Sequence, residues 1–215
     1  MNGAGLGIIA MSLWSSDEVY ERDPAKYPSG WVPASLLRRM FLEAPTFPLG
    51  LRALLTTPRH VAMNVIVATG EDEALNIELT PTSYFITQVP LAKEILTHSN
   101  HFKDPGFLCK DSISEGSRGS SSLFRDRRVE KVLTQSWPNI DEDDFKTAFK
   151  DHVGYPNSVC EHSVPKELAW TSSHPTETTV ASIIFNLSKR TLQLCKGPPC
   201  MGSFNEYKFN FSKID

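Results

Sequence analysis

What this sequence lacks narrows it first. Its 215 residues hold no excess of positive charge: 22 Lys and Arg stand against 25 Asp and Glu, for a net charge of −3. Nucleic acid and anionic membrane surfaces call for clustered cations, so neither is an expected partner. No apolar run approaches the roughly 18 residues that a membrane-crossing helix needs. The apolar start, MNGAGLGIIAMSLW, carries no Lys or Arg before Arg22, whereas a secretory signal has a positive leading region. The final FSKID is not a terminal peroxisomal tripeptide. A cytoplasmic location is the expectation.

Cysteine is sparse. Cys109, Cys160, Cys195 and Cys200 form no C-x-x-C pair, so neither a zinc ribbon nor a disulfide framework is indicated and reduced thiols are expected. There is no G-x-S-x-G, hence no nucleophile elbow of the serine-hydrolase kind. Gly3-Ala4-Gly5-Leu6-Gly7 has no strand before it and a strand-like run after it. A turn into a strand fits it better than a dinucleotide fingerprint. Asp141-Glu142-Asp143-Asp144 lacks the glycine and the closing glutamate of a calcium loop. It reads as the start of a helix, acid first and Lys150 and His152 last, matching the helix dipole.

What is present is enough apolar material, 40% of the chain, for a substantial core in a single domain spanning residues 1–215. After the strand at residues 8–11, VPASLLRRMFLEA sets Leu36, Leu37, Met40 and Phe41 on one helical face, and PLGLRALL gathers Leu51, Leu54 and Leu55. Four strand-like runs follow, at 61–69, 74–80, 83–88 and 94–100, the first two joined by a turn at Gly70. Residues 103–121 read as a loop. A helix capped by Ser122 runs to about Gln135, and a second follows Asp141. A long irregular segment, 153–176, precedes a hairpin of 178–187 with 190–195. NEYKFNF closes the chain as a half-buried strand. Segregated helices and strands predict an α+β fold with antiparallel sheets.

The chemically densest stretch is Leu96-Thr97-His98-Ser99-Asn100-His101-Phe102. On a strand, alternation sends His98 and His101 to opposite faces, so the two cannot share an ion. His152, Cys160, His162 and His174 enlarge the ligand pool without a recognised spacing, and no metal site is expected. Cys160-Glu161-His162 pairs a thiol with an imidazole in sequence, although four cysteines and six histidines offer such pairs in any chain. Each cysteine reads as a buried, inert thiol. Asn100 remains, either ending a strand or aiming its carboxamide N–H at a developing oxyanion.

Several segments, in order, resemble one family. They are Asn2-Gly-Ala-Gly-Leu-Gly-Ile8, Val32-Pro-Ala-Ser-Leu-Leu-Arg38, Asn76-Ile-Glu-Leu-Thr-Pro-Thr-Ser83, Leu96-Thr-His-Ser-Asn-His-Phe102, Ser121-Ser-Leu-Phe-Arg125, Asp151-His with Tyr155-Pro-Asn-Ser-Val-Cys-Glu-His162, and Ser182–Thr191 with Gly197-Pro-Pro-Cys200. The chain resembles the acyl-CoA:6-aminopenicillanic-acid acyltransferase (isopenicillin N acyltransferase) family of cysteine N-terminal-nucleophile hydrolases.

That resemblance implies an αββα sandwich, here a partial one lacking N-terminal strands. It implies a precursor cut before a cysteine, whose thiol becomes the nucleophile and whose freed α-amine is the base. The implied substrate is a small acyl or amide compound. No cofactor is implied, with acyl-CoA as a candidate substrate. Asn100 matches the family's oxyanion-hole asparagine, while Glu78 and the Thr80-Pro81-Thr82 turn match structural positions. The family's nucleophile lies upstream of the segment matched by residues 2–8, and none of the four cysteines occupies a matching position. The expectation is therefore a chain without the nucleophile, completed by a missing N-terminal segment or a second chain and inactive alone. The alternative is a nucleophile-free remnant acting as a binding module or pseudoenzyme. Pro175, Thr176 and Glu177 stand where the penicillin-making branch carries a Ser-Arg pair, which turns the expectation away from penicillin substrates.

Overall fold

The computed structural model describes residues 1–18, 30–89, 92–106, 118–171 and 175–210. The fold is α+β, with four α-helices and two antiparallel sheets among the described residues. The chain divides into two compact units, one of Met1–Gln88, Asn100–Ser112 and Asn210–Asp215, the other of Val89–Ser99 and Ile113–Phe209. No described helix is long and apolar enough to cross a membrane.

The first unit is a four-stranded meander, β1 (Leu6–Ser12), β2 (Met63–Thr69), β3 (Ala74–Leu79) and β4 (Tyr84–Gln88), with helices α1 (Ala34–Glu43) and α2 (Phe47–Thr56) between β1 and β2. Asn2 and Gly5 make the expected turn into β1: the Asn2 side chain accepts from the Leu6 N–H, and Gly5 sits at φ +81°. Thr69 caps the β2–β3 turn by accepting from the Glu71 and Glu73 N–H groups. The strand register places Leu6, Ile8 and Ala10 beside Val65 and Val67, and these beside Leu75 and Ile77. This face forms the core with Leu37, Phe41 and Leu54 of the helices, all fully buried. Burying such side chains contributes about 1.5–3 kcal/mol each.

A close approach lets α2 cross α1. A Cβ on Gly50 would lie 2.7 Å from the Phe41 ring and 3.2 Å from its carbonyl oxygen. The ring is itself pinned edge-on against Phe47. A helical Gly→Ala exchange normally stabilises by about 1 kcal/mol. Here overpacking of about 1–3 kcal/mol opposes it. Gly50→Ala is therefore expected to lower the urea midpoint, and a raised midpoint would show that the ring yields.

The second unit holds α3 (Arg118–Ser136), α4 (Glu142–Phe149), a 3-10 helix at Lys166–Thr171 and the sheet β5 (Ala181–Asn186), β6 (Thr191–Lys196) and β7 (Asn205–Lys208). Three local expectations change. Ser122 lies inside α3, fully buried, because the helix begins four residues earlier. The residues of β7 are all exposed, with Tyr207 half-exposed, because β7 is an edge strand whose side chains gain little cover on either face. Residues 94–100 form no strand. Within 103–121, residues 107–117 lie outside those described.

The acidic start of α4 behaves as read. Asp141 accepts from the Asp143 and Asp144 N–H groups, and Asp144 returns a bond to the Asp141 N–H in a capping box. The Asn186 amide, then Lys189, hold the Glu142 carboxyl below its usual range. A depressed folded value gives stability that is present above the unfolded value and lost as pH falls through the folded one. The α4–β5 tether is thus expected to weaken as pH falls below the ordinary glutamate range. Glu142→Gln should flatten that part of a urea-midpoint profile against pH, and an unchanged profile would remove Glu142 from the acid response.

Candidate functional site

The first sheet is apolar on its helix face and polar on the other. The strand register sets Met11, Asn64, Glu78 and Phe85 in one row across β1–β4, with Ile66, Asn76 and Thr87 in the next. Asn64, Asn76 and Glu78 are all buried, at 0%, 5% and 1% exposure. A sheet needs no buried carboxylate for its own cohesion, and an ionised one requires partners. Glu78 finds them in the chain beyond Asn100: the Lys103 N–H donates at 2.6 Å and the Asp104 N–H at 3.1 Å.

Asn64 sits opposite Glu78. Its amide nitrogen donates to Asn76 Oδ1 at 2.6 Å and to the Ile77 carbonyl at 3.3 Å, while its own buried Oδ1 has no donor. An unmet buried acceptor costs about 1–3 kcal/mol and calls for an explanation such as a water or a ligand. The sequence reading did not single out Asn64. The available signal was an asparagine interrupting Met63–Thr69, a strand otherwise almost wholly apolar.

Residues 100–104 are pinned at three points. The Asn100 amide donates to the Ser12 carbonyl, at the end of β1, at 3.0 Å. Phe102, 1% exposed, packs with Leu13 and Ala62, which flank the ends of β1 and β2. Glu78 then takes the next two backbone N–H groups. The bond to Ser12 orients the Asn100 carboxamide.

The turn after β3 is equally fixed. Buried Arg59 donates to the Thr80 and Ser83 carbonyls at 2.7 and 3.0 Å, and Asp17 accepts from the Thr80 and Thr82 hydroxyls.

The other residues singled out lie elsewhere. His98 Nδ1 is 2.7 Å from the Ser99 carbonyl, and His101 is buried. Because 94–100 is no strand, alternation does not decide where their rings point. Cys109 and His174 lie outside the described residues. Cys195 is buried, with its thiol 3.9 Å from the Lys196 carbonyl. Burial pushes the Cys160 thiol up to about 11, so the thiolate needed of a nucleophile is scarce at neutral pH. The fold does bring Cys160 together with His152, His162 and Cys200. In the second unit, Lys93, Arg127, Lys131 and Glu130 border a groove of about 670 Å³ over Leu123 and Phe124.

The fold and the fixed, hydrogen-bonding polar sheet face define an α+β protein with a preorganised polar site. The sequence matches the acyl-coenzyme A:6-aminopenicillanic acid acyl-transferase family over residues 24–200, and the chain belongs to that family. Comparison with curated protein sequences gives no match.

Glu78→Gln removes the charge and aims an amide N–H where a backbone N–H now donates. The loss expected is roughly 1.5–3 kcal/mol, the worth of a hydrogen bond to a charged group. Faster amide exchange at Lys103 and Asp104 should accompany it. Unaltered exchange there would mean that the clamp is not what orders the segment.

Proposed function

We propose that the chain carries the oxyanion-binding half of an acyl-transfer site, in which acyl groups move from a thioester or amide donor through a cysteine acyl-enzyme. The general acyltransferase character rests on the family match. The single observation supporting the finer reading is the way Asn100 is held. Its amide is bonded to Ser12 O, and the chain after it is fixed by Phe102 and Glu78. A donor stabilises a developing oxyanion only if it is already in place when charge appears, since reorganisation during the step would consume the gain. Asn64 Oδ1, buried without a donor, is suited to accept an N–H from an acceptor amine or from a nucleophile's own α-amine.

A cysteine outside those described supplies the thiol in this reading, carried by a segment preceding Met1 or by a second chain. Attack by its sulfur on the acyl carbonyl forms a C–S bond and a tetrahedral oxyanion facing the Asn100 N–H. Collapse expels the donor's thiolate or amine. Water or an acceptor amine then releases the acyl group by the reverse sequence. The αββα layering of N-terminal-nucleophile hydrolases belongs to the same proposal.

Reading the transcript 5′ of Met1 tests where the thiol lies. An in-frame segment bearing a cysteine supports supply in cis, and an in-frame stop without one removes it. In the active form, Asn100→Ala should lower kcat about 10²–10³-fold with no matching drop in Tm. Unchanged turnover would remove Asn100 from the mechanism.

A further inference from the structure

Four side chains of the second unit converge without serving the sheet face described above. His152 follows α4, Cys160 and His162 end the loop after it, and Cys200 lies between β6 and β7. Their ligand atoms all lie within 4.8 Å of one another. His162 Nε2 is 3.5 Å from Cys160 Sγ, 3.4 Å from Cys200 Sγ and 3.2 Å from His152 Nε2.

Hydrogen bonding does not account for this. A ring nitrogen has one N–H or one lone pair to offer, yet three polar atoms crowd His162 Nε2 at contact distance. A central cation satisfies all four at once. With Zn–S near 2.3 Å and Zn–N near 2.0–2.1 Å, tetrahedral zinc sets sulfur and nitrogen about 3.5–3.6 Å apart and two nitrogens about 3.3–3.4 Å apart. The three separations around His162 Nε2 fall within about 0.2 Å of those edges, and the other three pairs lie within 4.8 Å.

We propose that His152, Cys160, His162 and Cys200 bind one zinc ion as a closed, structural site. Two thiolates and two imidazoles are the donor set that favours zinc over the hard oxygen-seeking cations. The thiolates also balance its charge. With four protein ligands no position is left for a hydrolytic water, so the ion braces the fold.

The scaffold holds the donors in place independently. The Cys160 N–H donates to the Asp151 carbonyl at 3.0 Å, and the His162 N–H to the Pro156 carbonyl at 2.9 Å. The Ser158 hydroxyl donates to the Cys160 carbonyl at 2.6 Å. Around Cys200, the Met201 and Gly202 N–H groups both donate to the Pro198 carbonyl. Gly202 is required there, since a Cβ would stand 2.5 Å from Cys195 Sγ. The unit has use for such a brace. Its buried apolar residues, among those described, are Leu133, Ala148, Cys160, Val164, Ile184 and Cys195, mostly small.

The test takes the 215-residue chain expressed with zinc and passed over a chelating resin. Elemental analysis should find one zinc per chain, and Cys200→Ser or His152→Ala should lose most of it. Cobalt exchanged into the unaltered chain should give the intense visible bands of tetrahedral Co²⁺ and a thiolate charge-transfer band, a readout independent of whether a variant folds. Four results would overturn the proposal: a chain that retains no metal, retention undiminished in Cys200→Ser, a weak octahedral cobalt spectrum, or a Cys160–Cys200 disulfide in the chain isolated without reductant.

Discussion

The buried Glu78 carboxylate is the constraint on which the rest of the first unit turns. A carboxyl group at 1% exposure persists only if the chain delivers hydrogen-bond partners to it, and the backbone N–H groups of Lys103 and Asp104 are such partners. Delivering them fixes the path of residues 100–104. That path seats Phe102 between Leu13 and Ala62 and sets Asn100 against the last carbonyl of β1. A charged residue that looks like a liability in a central strand thus acts as the anchor of a neighbouring loop. The apolar face beneath it supplies the rigidity, because α1 and α2 cover the sheet from the opposite side and leave the strands little freedom.

Asn64 shows the same economy from the other direction. Its two N–H groups are used within the sheet, and its oxygen is left buried and without a donor. Natural interiors satisfy nearly every such group, so an exception is informative where the surroundings are otherwise well bonded. Buried Arg59 and Thr80 show that this unit satisfies its buried polar atoms when only structure is at stake. An unmet acceptor on the polar face is consistent with a site that meets its partner from solution.

Much of the fold was legible in the sequence, and the exceptions have physical reasons. Helical periodicity identified α1 and α2, and strand-like runs flanking the Gly70 turn identified β2 and β3, because in these elements local preference and burial agree. Residues 94–100 misled because a short run with Ile95 and Thr97 after the Val89-Pro90 break resembles a strand whether or not a neighbour exists to pair with it. For NEYKFNF the strand was right and its burial was not, since alternation says which residues share a face but not whether anything covers it. Ser122 was read as a cap because serine favours that position, yet the polar residues before it also extend the helix. For the candidate site, Asn100 was reachable through a motif, whereas the clamp by Glu78 and the orphaned oxygen of Asn64 depend on strand register and on contacts remote in sequence.

The cysteines carry the last step. A catalytic thiol must be accessible and readily ionised. Cys195 is buried, Cys160 is buried with its thiol pushed up to about 11, and Cys200 faces the same histidine as Cys160. The sequence pattern that suggested a thiol–imidazole pair, Cys160-Glu161-His162, is real in space. However, His162 is shared among three partners, so it is not poised as the general base of one. A base held by three neighbours is oriented for coordination. Burial argues against Cys160 as a nucleophile, and exposed Cys200 shares its one imidazole with Cys160 and His152. In the proposed reading, the polar sheet face is left to bind and orient the acyl group, and the attacking sulfur comes from outside the described residues.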